Sequence, residues 1–270
     1  MADRPLPPIL GRIQATKQEE IARLLARTSE QALFERAREA SRTDPPRDFF
    51  RAIATGPDVR IIAEIKHTSP SKGLLRKDFD PTALAAAYTR GGAAALSCLT
   101  DETYFQGSLN DLRQARAASA LPVLRKDFLL HPAQVAEARA AGADAVLCIA
   151  RMLARKDLEA LLQAAVALGL TPLTEIHDEA DLEVALAAQA PLIGVNNRDL
   201  DTFVVDVQTT YRLRARIPET VPVVAESGIT SAQDLRRLAE AGVAAALVGE
   251  SLLVQTDVET AVRRLRTGAR

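Results

Sequence analysis

The stretch PVLRKDFLLHPAQVAEARAAGADAVLCI, residues 122–149, carries one full repeat of the pattern that decides the fold. It opens on a short apolar run, Pro122–Arg125, and passes a turn. At His131-Pro132 a helical pattern begins, with proline at the first helical position where its missing N–H costs nothing. That pattern covers Pro132–Ala141 and ends at Gly142, a residue that takes a left-handed helix cap cheaply. A second apolar run, Ala143–Ile149, follows. Neither run alternates polar and apolar residues in its middle, as expected of strands buried on both faces of a parallel sheet.

The same beat recurs along the chain. Apolar runs stand at Arg60–Ile65, Ala94–Leu99, Leu170–Ile176, Leu192–Asn196, Val221–Ala225 and Ala244–Val248 as well. Helical patterns fall between them at Pro81–Arg90, Lys156–Leu168, Asp178–Ala188 and Ser231–Ala241. Asp80-Pro81, Asp178 and Thr230 are start signals, and Gly91, Gly169 and Gly242 sit just past the ends. Eight runs at a spacing of about 26 residues fit the βα unit of a closed eight-stranded barrel. A doubly wound open sheet would carry Gly-x-Gly-x-x-Gly after its first strand, and the sequence has no such motif. An α/β protein is predicted, with a (β/α)8 barrel over residues 60–270. Residues 1–59 read as an N-terminal helical extension packed on the barrel within one structural domain. There Gln14–Arg27 and Glu30–Arg42 are helical, Asp44-Pro45-Pro46 breaks the pattern, and Asp48–Ala54 adds a short turn.

Composition narrows the function. The 270 residues are 47% hydrophobic and 26% charged, with a net charge of -1 spread along the length. Nothing forms the basic stripe that tracks nucleic-acid phosphates, and no window approaches the ~18 apolar residues of a spanning helix. The first residues lack the apolar core of a signal peptide, so a cytoplasmic chain with no nucleic-acid or membrane partner is expected. Cys98 and Cys148 lie inside apolar runs and read as buried hydrophobes. His67, His131 and His177 stand far apart, no zinc spacing occurs, and no metal is expected. Of 34 basic residues only six are Lys: Lys17, Lys66, Lys72, Lys77, Lys126 and Lys156. In so Arg-rich a chain each Lys is a candidate for work that needs an ammonium able to give up its proton.

Barrels of this type carry their chemistry at the C-terminal strand ends. The first strand ends Glu64-Ile65-Lys66, two charges on one face. The third ends Arg125-Lys126-Asp127, the fifth Thr174-Glu175, the sixth Asn196-Asn197-Arg198 and the seventh Glu226-Ser227. Three carboxylates, two ammoniums and an amide converge on the mouth, a costly arrangement if stability were its only use. Arg-Lys-Asp-Phe occurs twice; Lys77 in the first copy reads as solvated, whereas Lys126 in the second leaves a buried strand. Ser227-Gly228-Ile229 and Gly249-Glu250-Ser251 follow strands seven and eight, where such barrels hold phosphate on backbone N–H groups. A small phosphorylated substrate is therefore expected. The turn-rich stretch from His67 to Gly73, with Ser69 and Lys72, reads equally as a surface loop or as a lid over the mouth.

These residues resemble a known family. Glu64-Ile65-Lys66-x-x-Ser69-Pro70-Ser71, Leu99-Thr100-Asp101-x-x-x-Phe105-x-Gly107-Ser108, Leu124-Arg125-Lys126-Asp127-Phe128, Thr174-Glu175-Ile176-His177, Gly194-Val195-Asn196-Asn197-Arg198, Ala225-Glu226-Ser227-Gly228-Ile229 and Val248-Gly249-Glu250-Ser251 are similar to the motifs of indole-3-glycerol-phosphate synthase, the ring-closing enzyme of tryptophan biosynthesis. Seven motifs in register, from about residue 9 to 260, make the match specific. The resemblance implies a (β/α)8 TIM barrel with an N-terminal helical extension and a cytoplasmic carboxy-lyase that uses no cofactor. That enzyme converts 1-(2-carboxyphenylamino)-1-deoxyribulose 5-phosphate to indole-3-glycerol phosphate, CO2 and water.

By resemblance Lys126 is the general acid of the condensation and Glu175 a general acid or base of the dehydration. Lys66 would meet a negative substrate group, carboxylate or phosphate, and could donate a proton later, with Glu64 acting beside it. Asn196, Arg198, Glu226 and Ser227 would hold the sugar hydroxyls and the site framework; Ser69, Gly228, Gly249 and the Glu250 backbone would surround the phosphate. His67 and Thr174 depart from the family's usual residues without touching the acid–base set. Two rivals remain: another phosphate-binding barrel such as the isomerase one step earlier, which would use a Cys/Asp pair, and a non-catalytic barrel kept as a scaffold. A monomer or weak homodimer is expected.

Overall fold

The computed structural model describes residues 6–69, 73–76, 78–199 and 202–267. Eight parallel strands close into a barrel: β1 (Arg60–Ile65), β2 (Ala95–Leu99), β3 (Val123–Lys126), β4 (Ala145–Ile149), β5 (Thr171–Ile176), β6 (Ile193–Asn196), β7 (Val223–Glu226) and β8 (Ala245–Val248). Each pairs with its neighbours in sequence, and β8 pairs with β1 to close the ring. The (β/α)8 barrel read from the sequence is the observed fold, and each apolar run overlaps its strand to within two residues.

Alternation along each strand sorts the side chains into two layers. Ile62, Ala95, Leu124, Leu173, Val224 and Leu247 fill the lumen. Their neighbours Ile61, Leu96, Val123, Thr174, Val223 and Ala246 face outward, most of them joining the core beneath the helices. Cys98 and Cys148 belong to that outer layer, both buried and free. Two residues past a lumen residue comes the next lumen position, which by then lies at the mouth. Leu124 is thus followed by Lys126, Leu173 by Glu175, Ile62 by Glu64 and Val224 by Glu226.

The extension consists of α1 (Pro8–Arg27), α2 (Glu30–Thr43) and α3 (Phe49–Ala54). α1 starts six residues before the predicted Gln14, because Pro8 occupies the first turn and Leu10, Ile13 and Lys17 continue a buried stripe at helical spacing. Leu10 and Ile13 of α1 and Phe49 and Ile53 of α3 join the lumen core. α2 packs outside, against the helix Pro132–Ala140. Below the barrel, Asp144 accepts from Arg116 at 2.6 Å and from the backbone of Arg47 and Val123 at 2.7 and 2.8 Å. Arg47 in turn donates to the carbonyls of Ser119 and Leu121.

Smaller differences have local causes. Gly91 is the last residue of its helix, and Gly92 takes the left-handed cap at φ 91°. Ser231, not Thr230, caps the helix Ala232–Glu240, in a reciprocal box with Asp234. Helices Leu109–Ala117, Gln208–Arg214 and Val258–Thr267 had no counterpart in the sequence reading. Lys72 and Lys77 lie outside the described residues, as does the centre of the loop that carries Ser69. Its flanks, Thr68–Ser69 and Gly73–Leu74, pair as a short antiparallel ribbon. Among the described residues no helix is long and apolar enough to cross a membrane.

Candidate active site

A cavity of about 420 Å³ opens at the C-terminal end of the barrel. Its floor is the charged layer. Lys126 Nζ lies 2.7 Å from Glu175 Oε2 and 2.9 Å from Glu226 Oε2, so one ammonium joins β3, β5 and β7. Lys66 pairs with Glu64 across one residue of β1's end, and the buried Tyr88 hydroxyl donates to the Glu64 carbonyl at 3.2 Å, fixing that strand end. Asn196 Nδ2 donates to Glu175 Oε1 at 3.3 Å, while its Oδ1 accepts from Ser227 Oγ at 2.9 Å and from the Arg198 backbone at 3.0 Å. Arg198 Nη2 reaches Glu250 Oε2 at 3.7 Å across the mouth.

Burial and mutual charge set the protonation states. Burial works against the Lys126 ammonium, yet Glu175, Glu226 and Glu64 outweigh it and hold its pKa well above the ordinary lysine value. Burial alone would raise Glu175, but Lys126 and His177 hold it far below the usual carboxylate range. Glu226 goes the other way: burial, reinforced by the Glu175 charge, pushes it up despite Lys126. Its Oε1 is buried with no hydrogen-bond partner in the protein. Two carboxylates around one ammonium thus differ, one firmly ionised and one inclined to keep its proton.

Every site residue proposed from the sequence lines this cavity: Glu64, Lys66, Ser69, Lys126, Glu175, Asn196, Arg198, Glu226, Ser227, Gly228, Gly249 and Glu250. The two glycines have a packing reason to be there. A Cβ on Gly249 would stand 2.2 Å from Glu64 Oε1, so its bare α-carbon is the surface on which that carboxylate rests. Gly228, at φ 80°, follows Ser227 at φ 66°, and a Cβ there would meet Val205 at 2.7 Å. Gly194 makes the same kind of room, its missing Cβ leaving space for Glu226 Oε1 at 2.3 Å.

The roof was missed by the sequence reading. Ile9, Leu10 and Ile13 of α1 line the cavity, as do Phe105 and Phe128. Lys17, one turn beyond Ile13, pins α1 to the strand ends through Asp101 at 2.8 Å and Asp127 at 2.9 Å. These carboxylates outweigh burial and raise its pKa. The signal was present, since Lys17 is one of few lysines and continues the Leu10/Ile13 face, but Asp101 and Asp127 lie more than 80 residues away.

Comparison with known proteins then places the chain. Residues 10–265 match the family model described as indole-3-glycerol phosphate synthase. The chain belongs to the indole-3-glycerol phosphate synthase family. A family member from Desulfotalea psychrophila is 50% identical over 245 residues, covering 91% of this chain and 93% of its own. Indole-3-glycerol phosphate synthase 2 of Ralstonia nicotianae is 48% identical over 264 residues, covering 95% and 96%. Among solved structures, thiamine phosphate pyrophosphorylase from Pyrococcus furiosus superposes with a TM-score of 0.58 at 18% identity, over 78% of this chain and 95% of its own. That likeness concerns the barrel alone.

Proposed function

We propose that this chain closes, decarboxylates and dehydrates 1-(2-carboxyphenylamino)-1-deoxyribulose 5-phosphate to indole-3-glycerol phosphate, by lysine and glutamate acid–base catalysis. The observation that carries the roles is Lys126 held between Glu175 and Glu226 in a cavity that apolar side chains also line. An aromatic amine ring suits the wall formed by Ile9, Leu10, Phe105 and Phe128, and the sugar phosphate suits the loops after β7 and β8. Backbone N–H groups near Gly228 and Gly249, with Arg198 beside them, would receive the phosphate.

In the condensation the ring carbon that bears the carboxylate attacks the substrate ketone. Lys126 donates a proton to the developing alkoxide, a role that an ammonium ionised across the neutral range is ready to fill. Loss of CO2 restores the aromatic ring. Dehydration then removes the hydroxyl and a proton, with Glu175 as the ionised base and Lys66 placed to protonate the leaving oxygen. Glu64 orients Lys66, while Asn196, Glu226 and Ser227 hold the sugar end.

The test is an assay with the carboxyphenylamino sugar phosphate, followed by indole absorbance and fluorescence. Indole formation with no added metal or coenzyme is the expected result. Tight binding without indole would instead favour the scaffold reading.

A further inference from the structure

His177 has no part in the roles above, yet it stands at the edge of the charged floor. It follows Glu175 by two residues and leaves β5 on the same face. Its side chain is only 7% exposed, with Nε2 3.3 Å from Glu175 Oε1 and Nδ1 3.5 Å from Asp181 Oδ2. Both contacts are ion-pair approaches and not well-aligned hydrogen bonds. Each ring nitrogen therefore faces a carboxylate.

That arrangement fixes the charge on the ring. A neutral imidazole has one N–H and one lone pair, and either tautomer would set the lone pair against a carboxylate oxygen. Asp181 has two further donors: Arg151 Nε, from the turn after β4, donates to Oδ1 at 3.1 Å, and the His177 backbone N–H donates to Oδ2 at 3.0 Å. Arg151 is braced by Asp178 Oδ2 at 2.5 Å. On the far side, Glu175 Oε2 is taken by Lys126, itself paired with Glu226, and Oε1 also accepts from Asn196. Among the described residues, these charged and polar groups face the pair from β3, β6, β7, the turn after β4 and the helix Glu179–Ala187.

We propose that His177 is a positioning residue, an imidazolium clamped between Glu175 and Asp181 that fixes the Glu175 carboxylate and keeps it in its basic form while Lys126 turns to the substrate. The inference rests on the reading of Glu175 as a working base. When Lys126 gives its proton away, Glu175 loses its principal counter-ion, and His177 is the cation that remains beside it. The electrostatics agree in direction. Burial disfavours the imidazolium, but Asp181 and Glu175 outweigh it and raise the His177 pKa to about 9.

The experiment compares wild type and His177→Gln from about pH 7 to about pH 10, with kcat and KM measured separately. At neutral pH the glutamine variant should lose ~10-fold in kcat, less than the ~10²–10⁴ of a group that moves the proton itself, because His177 acts through Glu175, while KM stays within about 3-fold. A group with a raised pKa keeps its proton below the ordinary histidine value and loses it through the raised one. Wild-type kcat should therefore fall as pH passes about 9 and converge on the variant, whose own profile is flat there. A ratio of wild-type to variant kcat that stays constant with pH, or a loss carried by KM, would overturn the proposal.

Asp181→Asn guards against a variant that fails to fold. With its outer carboxylate gone, the wild-type limb should move to lower pH, and an unmoved limb counts against the clamp. A ¹⁵N titration of the ring in the wild-type enzyme needs no turnover. Imidazolium shifts at neutral pH are expected, and a neutral ring there would refute the clamp whatever product the enzyme forms. An assay in which wild type makes no indole would instead remove the reading of Glu175.

Discussion

At the N-terminal end of the barrel, Arg47 and Arg139 send guanidinium protons to the carbonyls of Ser119, Leu121 and Ala143, and Arg116 closes on Asp144 and Asp44. Asp144 accepts two backbone N–H groups besides. At the C-terminal end, Lys126, Glu175 and Glu226 mainly face one another across a cavity, and Glu226 keeps one oxygen unpartnered. Both ends bury charge. At the lower end the partners are largely backbone groups and the linker before α3, so the charges bind one piece of chain to another. At the mouth the partners are side chains with room above them, so the same kind of charge is left free to meet a substrate. Burial of an ion pair says little about its use; what completes its hydrogen bonding says more.

The sharpest way to separate the two ends is by substitution in each. Glu175→Gln keeps size and one acceptor but removes the base. It should lower kcat by ~10²–10⁴ with binding and melting temperature nearly unchanged, and single-turnover traces should show CO2 release outrunning indole formation. Equal slowing of both steps would mean that Glu175 positions the aromatic end throughout. Arg116→Met should do the opposite. It strands Asp144 without its guanidinium, and breaking a buried pair in this way costs about 3–5 kcal/mol. Denaturant unfolding should show that loss, while the folded fraction turns over at the wild-type rate.

A subtler change tests whether the glycines of the mouth serve the charges as well as the phosphate. Gly249→Ala places a methyl group against Glu64 Oε1, which must swing away and release Lys66. A fall in kcat of about 10-fold, short of the ~10²–10⁴ that losing an acid or base outright would cause, is expected with little change in melting temperature. A change confined to KM would assign Gly249 to phosphate binding alone.

The barrel was legible because its strands are buried on both faces, which turns each into a short apolar run that survives without any alignment. Lys126, Glu175 and Glu226 were legible for a related reason: a polar residue at the end of such a run has only the mouth to occupy. The helix Val258–Thr267 was not recognised, although its buried Val258, Val262 and Leu265 have helical spacing, because so much of its surface is charged. Lys17 and the arginines below the barrel stayed hidden for a different reason. Their meaning depends on partners brought close only by ring closure, as when Arg47 meets the loops before β3 and β4. His177 lay inside a recognised motif, yet its role needs Asp181 and Arg151, supplied by a helix and by another strand's turn.

In the proposed mechanism Lys126 gives a proton and does not merely supply a charge. Arginine keeps the charge, but a lysine turned from its carboxylates to the substrate gives up a proton far more readily than a guanidinium does, so the deciding measurement is the rate of indole formation by Lys126→Arg at saturating substrate. A loss of at least ~10² in kcat, with substrate still bound and the fold intact, is the predicted result. An arginine variant that retained most of the wild-type rate would contradict it and move the search for the acid to Lys66.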